Sequence, residues 1–266
     1  MKSVQSVVED RESRAVSKNV SCGFVHLVDQ MKLSVIEHTQ DKHDAQRALR
    51  ARIIAAYSGI IRIYAFIRFQ IIHLRFLEEI EQYLPDRGTI LDLGCGFGLF
   101  SLYIAARKPH AQVIGIDINA KRFNVARVAA QKLGITNVTY ERGDLREWRP
   151  EQRIAGAYAL DVFHHIPVAS GDALLRDLFA RLEPGGRFLL KDIDTQPRTM
   201  LWFTYILDLL MAPRDDFNYR SAGVWQREIC AACFASVYTH DLWDWLPYPH
   251  ILLICEKNQL DTDKRG

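Results

Sequence analysis

The residues best suited to chemistry lie between positions 90 and 119. Ile90-Leu91-Asp92-Leu93 is an apolar run broken by one carboxylate, and Gly94, Gly96 and Gly98 follow it at alternate positions. Glycines there let the backbone turn sharply and approach a ligand where a Cβ would clash. Nineteen residues past Gly98 stands Asp117, within Gly115-Ile116-Asp117-Ile118-Asn119. A carboxylate at the end of a strand can accept two hydrogen bonds from the hydroxyls of a ribose. Two nucleotide readings compete. A dinucleotide site uses GxGxxG and lays a pyrophosphate on a helix N-terminus. This chain has GxGxG, and Asp92 stands two residues ahead of the first glycine. A carboxylate is awkward beside a pyrophosphate and suits a cationic ligand. The bland alternative is a plain tight turn between a strand and a helix.

The elements around this loop repeat. Strands are expected at 89–93, 112–116, 138–142, 154–160 and 187–191, with helices at 99–107, 120–133 and 172–182. Pro109, Gly134 and the run Glu183-Pro184-Gly185-Gly186 act as stops. Short strands separated by helices of this length predict crossover units and a parallel sheet. An apolar helix over 199–211, a second helix over 224–232, and strands at 234–239 and 250–255 complete the expectation. Ligands of such sheets bind beyond the carboxyl ends of the strands.

Two more motifs sit at such ends. Glu141-Arg142-Gly143-Asp144 follows the third strand, and Asp161-Val162-Phe163-His164-His165-Ile166-Pro167 follows the fourth. A carboxylate at 144 can accept an adenine amino hydrogen, and the N–H of Leu145 can face a ring nitrogen. With the glycine loop and the entry to the fifth strand, 182–190, these motifs resemble the class I S-adenosylmethionine-dependent methyltransferases over about residues 85–257. The resemblance implies an α/β fold: a doubly wound, mostly parallel seven-stranded, Rossmann-like sheet that ends in an antiparallel hairpin. It implies S-adenosylmethionine as cofactor and assigns roles position by position. Asp92, Gly94 and Gly96 belong to the first motif, and Gly98 lies in the same loop around the methionine part. Asp117 holds the ribose and Ile118 packs on adenine; Asp144 and Leu145 read the adenine edge; Asp161 and Val162 line the pocket near the sulfonium. Cys95 occupies a position that is commonly small or Cys, and reads as packing. No metal is implied.

His164 and His165 lie near where a methyl group would project. Either is a candidate general base for an oxygen nucleophile, and a structural role in the turn is the alternative. Cys230 and Cys233 share the spacing of a metal or redox pair, but no second pair exists, and buried small hydrophobes are expected. The aromatic run over 242–250 reads as hairpin packing. The connection from the fifth to the sixth strand is longer than an ordinary crossover. Its residues 194–223 are expected to form a lid or substrate wall, with a core helix as the alternative.

Residues 45–77 hold Arg47, Arg50, Arg52, Arg62, Arg68 and Arg75 and no Asp, Glu or Lys. On a helix, Leu49, Ile53, Ile60, Ile63, Ile67, Ile71 and Leu74 fall on one face, with every arginine but Arg52 opposite. Gly59 is the point where that helix can break. A basic, apolar-faced helix suits a bilayer interface, or else caps the sheet with its arginines in water.

The whole chain of 266 residues carries 34 Lys and Arg against 32 Asp and Glu. That balance gives no case for a nucleic-acid partner. The five scattered cysteines point to a reducing compartment. The first twenty residues lack an apolar core, so a signal peptide is not expected. The expected organisation is a polar, poorly ordered segment over 1–46, a basic helical extension over 47–84, the methyltransferase domain over 85–257 and a polar tail over 258–266. Methyl transfer to a small or lipid-like acceptor is the expected function, in the cytoplasm and possible at the inner face of a membrane through residues 47–77. The rivals are a non-catalytic S-adenosylmethionine-binding regulator and a nicotinamide-dependent oxidoreductase. Oligomeric state and the acceptor are left open.

Overall fold

The computed structural model describes residues 40–211, 216–234, 236–242 and 249–258. The chain divides into two units after Leu49, and the unit from Arg50 onward carries the site. A first helix, α1, runs over residues 40–56. Then come α2 (Gly59–Ile71), α3 (Leu74–Tyr83), β1 (Gly88–Leu93), α4 (Leu99–Arg107), β2 (Ala111–Asp117), α5 (Ala120–Leu133), β3 (Val138–Arg142) and β4 (Ile154–Leu160). A 3-10 turn at Phe163–His165 leads to α6 (Val168–Arg181), β5 (Leu182–Ile193), α7 (Arg198–Met211), α8 (Ala222–Ala231), β6 (Ser236–Leu242) and β7 (His250–Glu256).

The strands form one seven-stranded sheet in the order β3-β2-β1-β4-β5-β7-β6. The first five strands are parallel, and β7 runs antiparallel to both β5 and β6. The doubly wound, mostly parallel sheet of the sequence expectation is therefore present. β1 and β4 are neighbours, and from them the chain winds outward in opposite directions. Right-handed crossovers on the two sides place helices on both faces and make the β1/β4 boundary the switch point. β4 is buried along its whole length, Ile154 to Leu160, as a central strand covered on both faces must be.

Local signals explain several boundaries. Asn119 Oδ1 accepts from Lys121 N at 3.1 Å and starts α5. Gly134 ends it with φ of 69°, the left-handed residue that closes many helices. α6 begins four residues earlier than the sequence pattern suggested, directly after Pro167, whose fixed φ leads into the first turn. β5 also begins earlier, because Leu182 pairs with Ile154 ahead of a register shift, and the run read as a stop is taken into the strand.

Other expectations are corrected. The basic stretch is not one helix. Ser58 is extended and Gly59 has φ of 54°, so α1 and α2 are separate, and α3 starts after His73. The single apolar face is lost with that break: Ile53 is buried, whereas Ile60 is 75% exposed and Ile63 and Ile67 also face solvent. Cys230 and Cys233 are exposed, not buried, because they lie at the outer end of α8. The core-helix alternative for α7 fails, since Trp202, Phe203, Tyr205, Ile206 and Leu209 are all exposed. Residues 243–248, within the aromatic run read as hairpin packing, residues 1–39 and those from 259 onward lie outside the described residues. No helix among the described residues is long and apolar enough to cross a membrane.

Candidate active site

A cavity of about 340 Å³ opens at the carboxyl ends of four parallel strands. Gly94 reaches it from β1, Asp117 and Ile118 from β2, Asp144 and Leu145 from beyond β3, and Val162 from beyond β4. His165, Asp216 and Asn218 close its far side. Its volume falls in the range of small-molecule sites. Of the residues singled out from sequence, Gly94, Asp117, Ile118, Asp144, Leu145, Val162 and His165 line it. Asp92, Cys95, Gly96, Gly98, Asp161 and His164 do not.

The glycine loop is shaped by contacts that only glycine permits. Gly94, Gly96 and Gly98 all have positive φ. A Cβ on Gly94 would meet Val162 at 2.5 Å, and one on Gly98 would meet Ala126 at 2.6 Å. At Gly96 the same space is open, with no atom within 4 Å, so the loop leaves a free backbone face there. Asp117 secures the loop. Its Oδ2 accepts from Gly96 N at 2.8 Å and its Oδ1 from Asn119 N at 2.7 Å. Each carboxylate oxygen keeps a lone pair for a further donor. Beside it, Ile118 is an exposed apolar side chain at the cavity edge, suited to a flat ring.

Asp92 is placed differently from the expectation. It is buried and turned toward α4, where Ser101 Oγ donates to it at 2.5 Å. Burial pushes its carboxyl up to about 7, against the opposing Ser101 hydrogen bond. It lies under the loop, and its charge reaches a ligand only through the loop. The Cys95 thiol is buried, and burial with the nearby Asp92 pushes it well above the ordinary thiol value. That supports packing, because a protonated thiol is a poor nucleophile.

Asp144 has a partner that sequence reasoning missed. Arg146 lines the same cavity, and its Nη2 lies 2.5 Å from Asp144 Oδ2. The Arg146 hydrogen bonds hold the Asp144 carboxyl below its ordinary value. An incoming adenine amino group would share that carboxylate with the guanidinium.

Asp161 is the centre of an ion cluster. It has φ of 56°, unusual for a residue with a Cβ. Lys191 Nζ donates to its Oδ1, and Arg68 Nη1 to its Oδ2 at 3.1 Å. Burial would raise this carboxyl, but the two cations outweigh it and hold it far below the usual carboxylate range. Its backbone N–H donates to the Lys191 carbonyl at 3.0 Å. With both oxygens so engaged, Asp161 fixes the turn that presents Val162 to the cavity.

The two histidines point apart. His165 lines the cavity. His164 is 3% exposed, with its Nδ1 2.5 Å from Asp192 Oδ1 on β5. Its Nε2 lies 3.7 Å from Asp208 Oδ2 on α7 and has no hydrogen-bond partner among the described residues. Tyr219 Oη donates to the same Asp208 oxygen at 2.5 Å. Burial alone would push the His164 imidazole down; Asp192 and Asp208 outweigh it and hold it above the ordinary histidine value. The signal in the sequence that points to this group is the charged pair Lys191-Asp192 directly after the apolar Phe188-Leu189-Leu190.

The N-terminal helices contribute as well. Tyr57 Oη donates to the carbonyl of Phe97 within the glycine loop at 2.7 Å, and the Tyr64 ring packs on Phe97 at 5.3 Å. Arg62 caps α1, donating to the carbonyls of Tyr57 and Ala55, both at 2.8 Å. Arg47 pairs with Asp44 at 3.6 Å, so at least three of the six arginines of the basic stretch, Arg47, Arg62 and Arg68, have intramolecular partners, which opposes the picture of a charged face turned wholly outward.

A sheet wound both ways from a glycine loop, with a carboxylate closing the second strand, defines a nucleotide-binding α/β domain. Residues 90–186 match the family model of the methyltransferase domain. The chain is 34% identical over 103 residues to a trans-aconitate 2-methyltransferase of Azoarcus sp., covering 39% of this chain and 38% of that protein. It is 28% identical over 155 residues to a ubiquinone biosynthesis O-methyltransferase of Acinetobacter baylyi, covering 55% of this chain and 62% of that protein. The matches thus span under two thirds of the length of these relatives. Among solved structures, the S-adenosylmethionine-dependent methyltransferase SibL superposes with a TM-score of 0.61 at 18% identity, over 79% of this chain and 62% of that one. The YcgJ protein of Bacillus subtilis does so with 0.56 at 18% identity, over 70% and 99%. Residues 90–186 are thus similar to a methyltransferase domain, and the fold is that of the class I S-adenosylmethionine-dependent methyltransferases.

Proposed function

We propose that this chain transfers a methyl group from S-adenosylmethionine to a small or lipid-like acceptor. The observation that carries the reading is the convergence of Gly94, Asp117, Asp144 and Val162 from four strand ends on one cavity. The residues present fit the cofactor. The backbone face at Gly96 is open, Asp117 keeps lone pairs for ribose hydroxyls, and Ile118 offers an apolar surface to adenine. When bound, S-adenosylmethionine supplies an electrophilic methyl carbon on a sulfonium. The chain's own task is to hold an acceptor in line and to exclude water. Where the acceptor carries a proton, His164 is the base we assign, oriented by Asp192; His165, on the cavity wall, positions the ligand. The relatives, a trans-aconitate and a ubiquinone-biosynthesis methyltransferase, favour a small-molecule acceptor over a macromolecule.

The test is calorimetric titration with S-adenosylhomocysteine, with NAD as the control. Binding of the former and not the latter is expected, and Asp117→Ala should weaken it at least tenfold. Binding of NAD alone would favour the oxidoreductase reading. S-adenosylhomocysteine binding without turnover on any acceptor would favour the non-catalytic regulator.

A second reading, work at an anionic membrane surface, is favoured by one observation. α2 exposes Ile60, Ile63, Phe66 and Ile67, and α7 exposes Trp202, Phe203 and Ile206. The interfacial surface we propose is this apolar one, with Arg52, Arg62 and Arg75 among the exposed cations. Sedimentation with anionic vesicles checks it. Wild type is expected to pellet and the triple change Ile60→Ser, Ile63→Ser, Ile67→Ser to stay in solution. A wild type that stays in the supernatant overturns the membrane reading.

A further inference from the structure

We propose that the gap between His164 Nε2 and Asp208 Oδ2 is the acceptor subsite, and that it takes the neutral hydroxyl of a flat, apolar molecule, a phenol and not a carboxylate. This rests on the methyl-transfer reading above and names its substrate class.

The first support is an unsatisfied atom. His164 Nε2 is buried without a hydrogen-bond partner among the described residues, while Nδ1 is tied to Asp192 at 2.5 Å. The ring therefore cannot swing away to find another partner, and a buried polar atom left unpaired is costly. Asp208 Oδ2 lies 3.7 Å off, too far for a hydrogen bond. An oxygen at about 2.8 Å from both atoms closes that triangle. A hydroxyl both donates and accepts, so it satisfies the pair in either protonation state of the imidazole. Asp208 is itself held by the Tyr219 hydroxyl at 2.5 Å. Three groups, from the 3-10 turn, α7 and the segment before α8, thus meet at the gap, and Asp192 of β5 holds the imidazole from its other side.

The second support is charge. Asp208 borders the gap, and Asp192 lies behind the imidazole, on Nδ1. A carboxylate acceptor would be a third anion in a buried place, and like charges there repel. Lys191 and Arg68 both pair with Asp161. Arg220 pairs with Glu228 at 3.1 Å.

The third support is the wall. The Tyr219 ring lies 5.5 Å from His164 at 19°, and Phe217 lies 6.0 Å from Tyr219 at 22°. These near-parallel rings suit a planar acceptor. Asp208 is 23% exposed, so solvent reaches the gap's Asp208 side. As the acceptor oxygen bonds the methyl carbon, the methyl–sulfur bond would break with its electron pair left on the sulfur of S-adenosylhomocysteine; the acceptor's proton goes to His164 Nε2, and the imidazolium is held by Asp192.

The test uses two probes that share a ring and a tail, 4-hexylphenol and 4-hexylbenzoate. S-adenosylhomocysteine is titrated first, and its failure to bind would sink the methyltransferase reading beneath this one. With it bound, calorimetry should show the phenol at least tenfold tighter than the benzoate. Asp208→Asn should narrow that ratio at least fivefold by removing one anion. Tyr219→Phe, a milder change, should raise KM for the phenol and leave the affinity for S-adenosylhomocysteine unchanged. With S-adenosylmethionine, mass spectrometry should find the methyl ether, and His164→Gln should lower kcat at least a hundredfold with KM within threefold. Equal affinities, including no binding of either probe, a methyl ester as the main product, or a ratio unmoved by Asp208→Asn would overturn the proposal.

Discussion

Arg68 Nη1 lies 3.1 Å from Asp161 Oδ2, which ties α2, a helix outside the stretch that matches the methyltransferase domain, to the turn after β4. That turn holds a non-glycine residue at φ of 56° and delivers Val162 to the cavity. Strained backbone of this kind persists only where its surroundings over-determine it. The helical extension is thus part of the site's scaffold.

Replacing Arg68 by Gln should expose that dependence. The Arg68 side chain is 19% exposed and shares Asp161 with Lys191, so the cost should lie near the lower end for a charged hydrogen bond, about 1–2 kcal/mol. The affinity for S-adenosylhomocysteine should fall several-fold, with partial recovery in Arg68→Lys. Denaturant titration and calorimetry check the two parts. An unchanged affinity would leave α2 a passive cover.

The His164–Asp192 pair predicts a pH profile. A base must be unprotonated to act, and the two carboxylates hold this imidazole above the ordinary value of about 6.5. Activity on a hydroxyl acceptor should therefore rise with pH, with the midpoint of its rising limb above that value. Asp192→Asn weakens the hold on the proton and should move the limb to lower pH. A profile flat from pH 6 to 9 in the wild type contradicts the assignment. A limb that stays in place in Asp192→Asn does so as well.

Asp92 predicts a change in stability with the opposite dependence from an exposed ion pair. Its carboxyl is raised to about 7 in the fold, chiefly by burial, against about 3.9 unfolded. A group raised on folding contributes stability fully present below the unfolded value, and that contribution is lost as pH climbs through the folded one. The window is thus about pH 4 to 7. The difference is at most about 4 kcal/mol. Asp92→Asn carries no such charge, so it should gain on the wild type from pH 5 to pH 8 in thermal unfolding. A difference that is constant over that range would rule it out.

Gly98 and Gly134 make a controlled pair. Both have φ near 70°, but a Cβ on Gly98 meets Ala126 and Tyr140 below 3 Å, while one on Gly134 meets nothing within 4 Å. Gly134→Ala should cost about 1–2 kcal/mol from the left-handed backbone alone. Gly98→Ala should cost about 1–3 kcal/mol more from overpacking. Chemical denaturation measures both, and equal losses would deny the close packing of the loop on α5.

The sequence by itself determined the strand–helix alternation, the parallel sheet and the place of the site. Those follow from local rules: apolar period, glycine punctuation, and a carboxylate at a strand end. It could not tell Asp92 from Asp117, since both are carboxylates beside the glycine loop. The packing of α4 turns one toward Ser101 and leaves the other on the cavity wall. It could not separate His164 from His165, because neighbours in a 3-10 turn point in different directions, and only β5 and α7 decide what each meets. Nor could it find partners for Arg68 or Lys191, 93 and 30 residues from Asp161. Helical spacing sorted residues 45–77 into one apolar and one basic face. The break at Ser58 and Gly59 then sent Ile53 inward and Ile60 outward. Faces are legible when a helix is continuous, and continuity past a glycine is settled by what the flanking turns pack against.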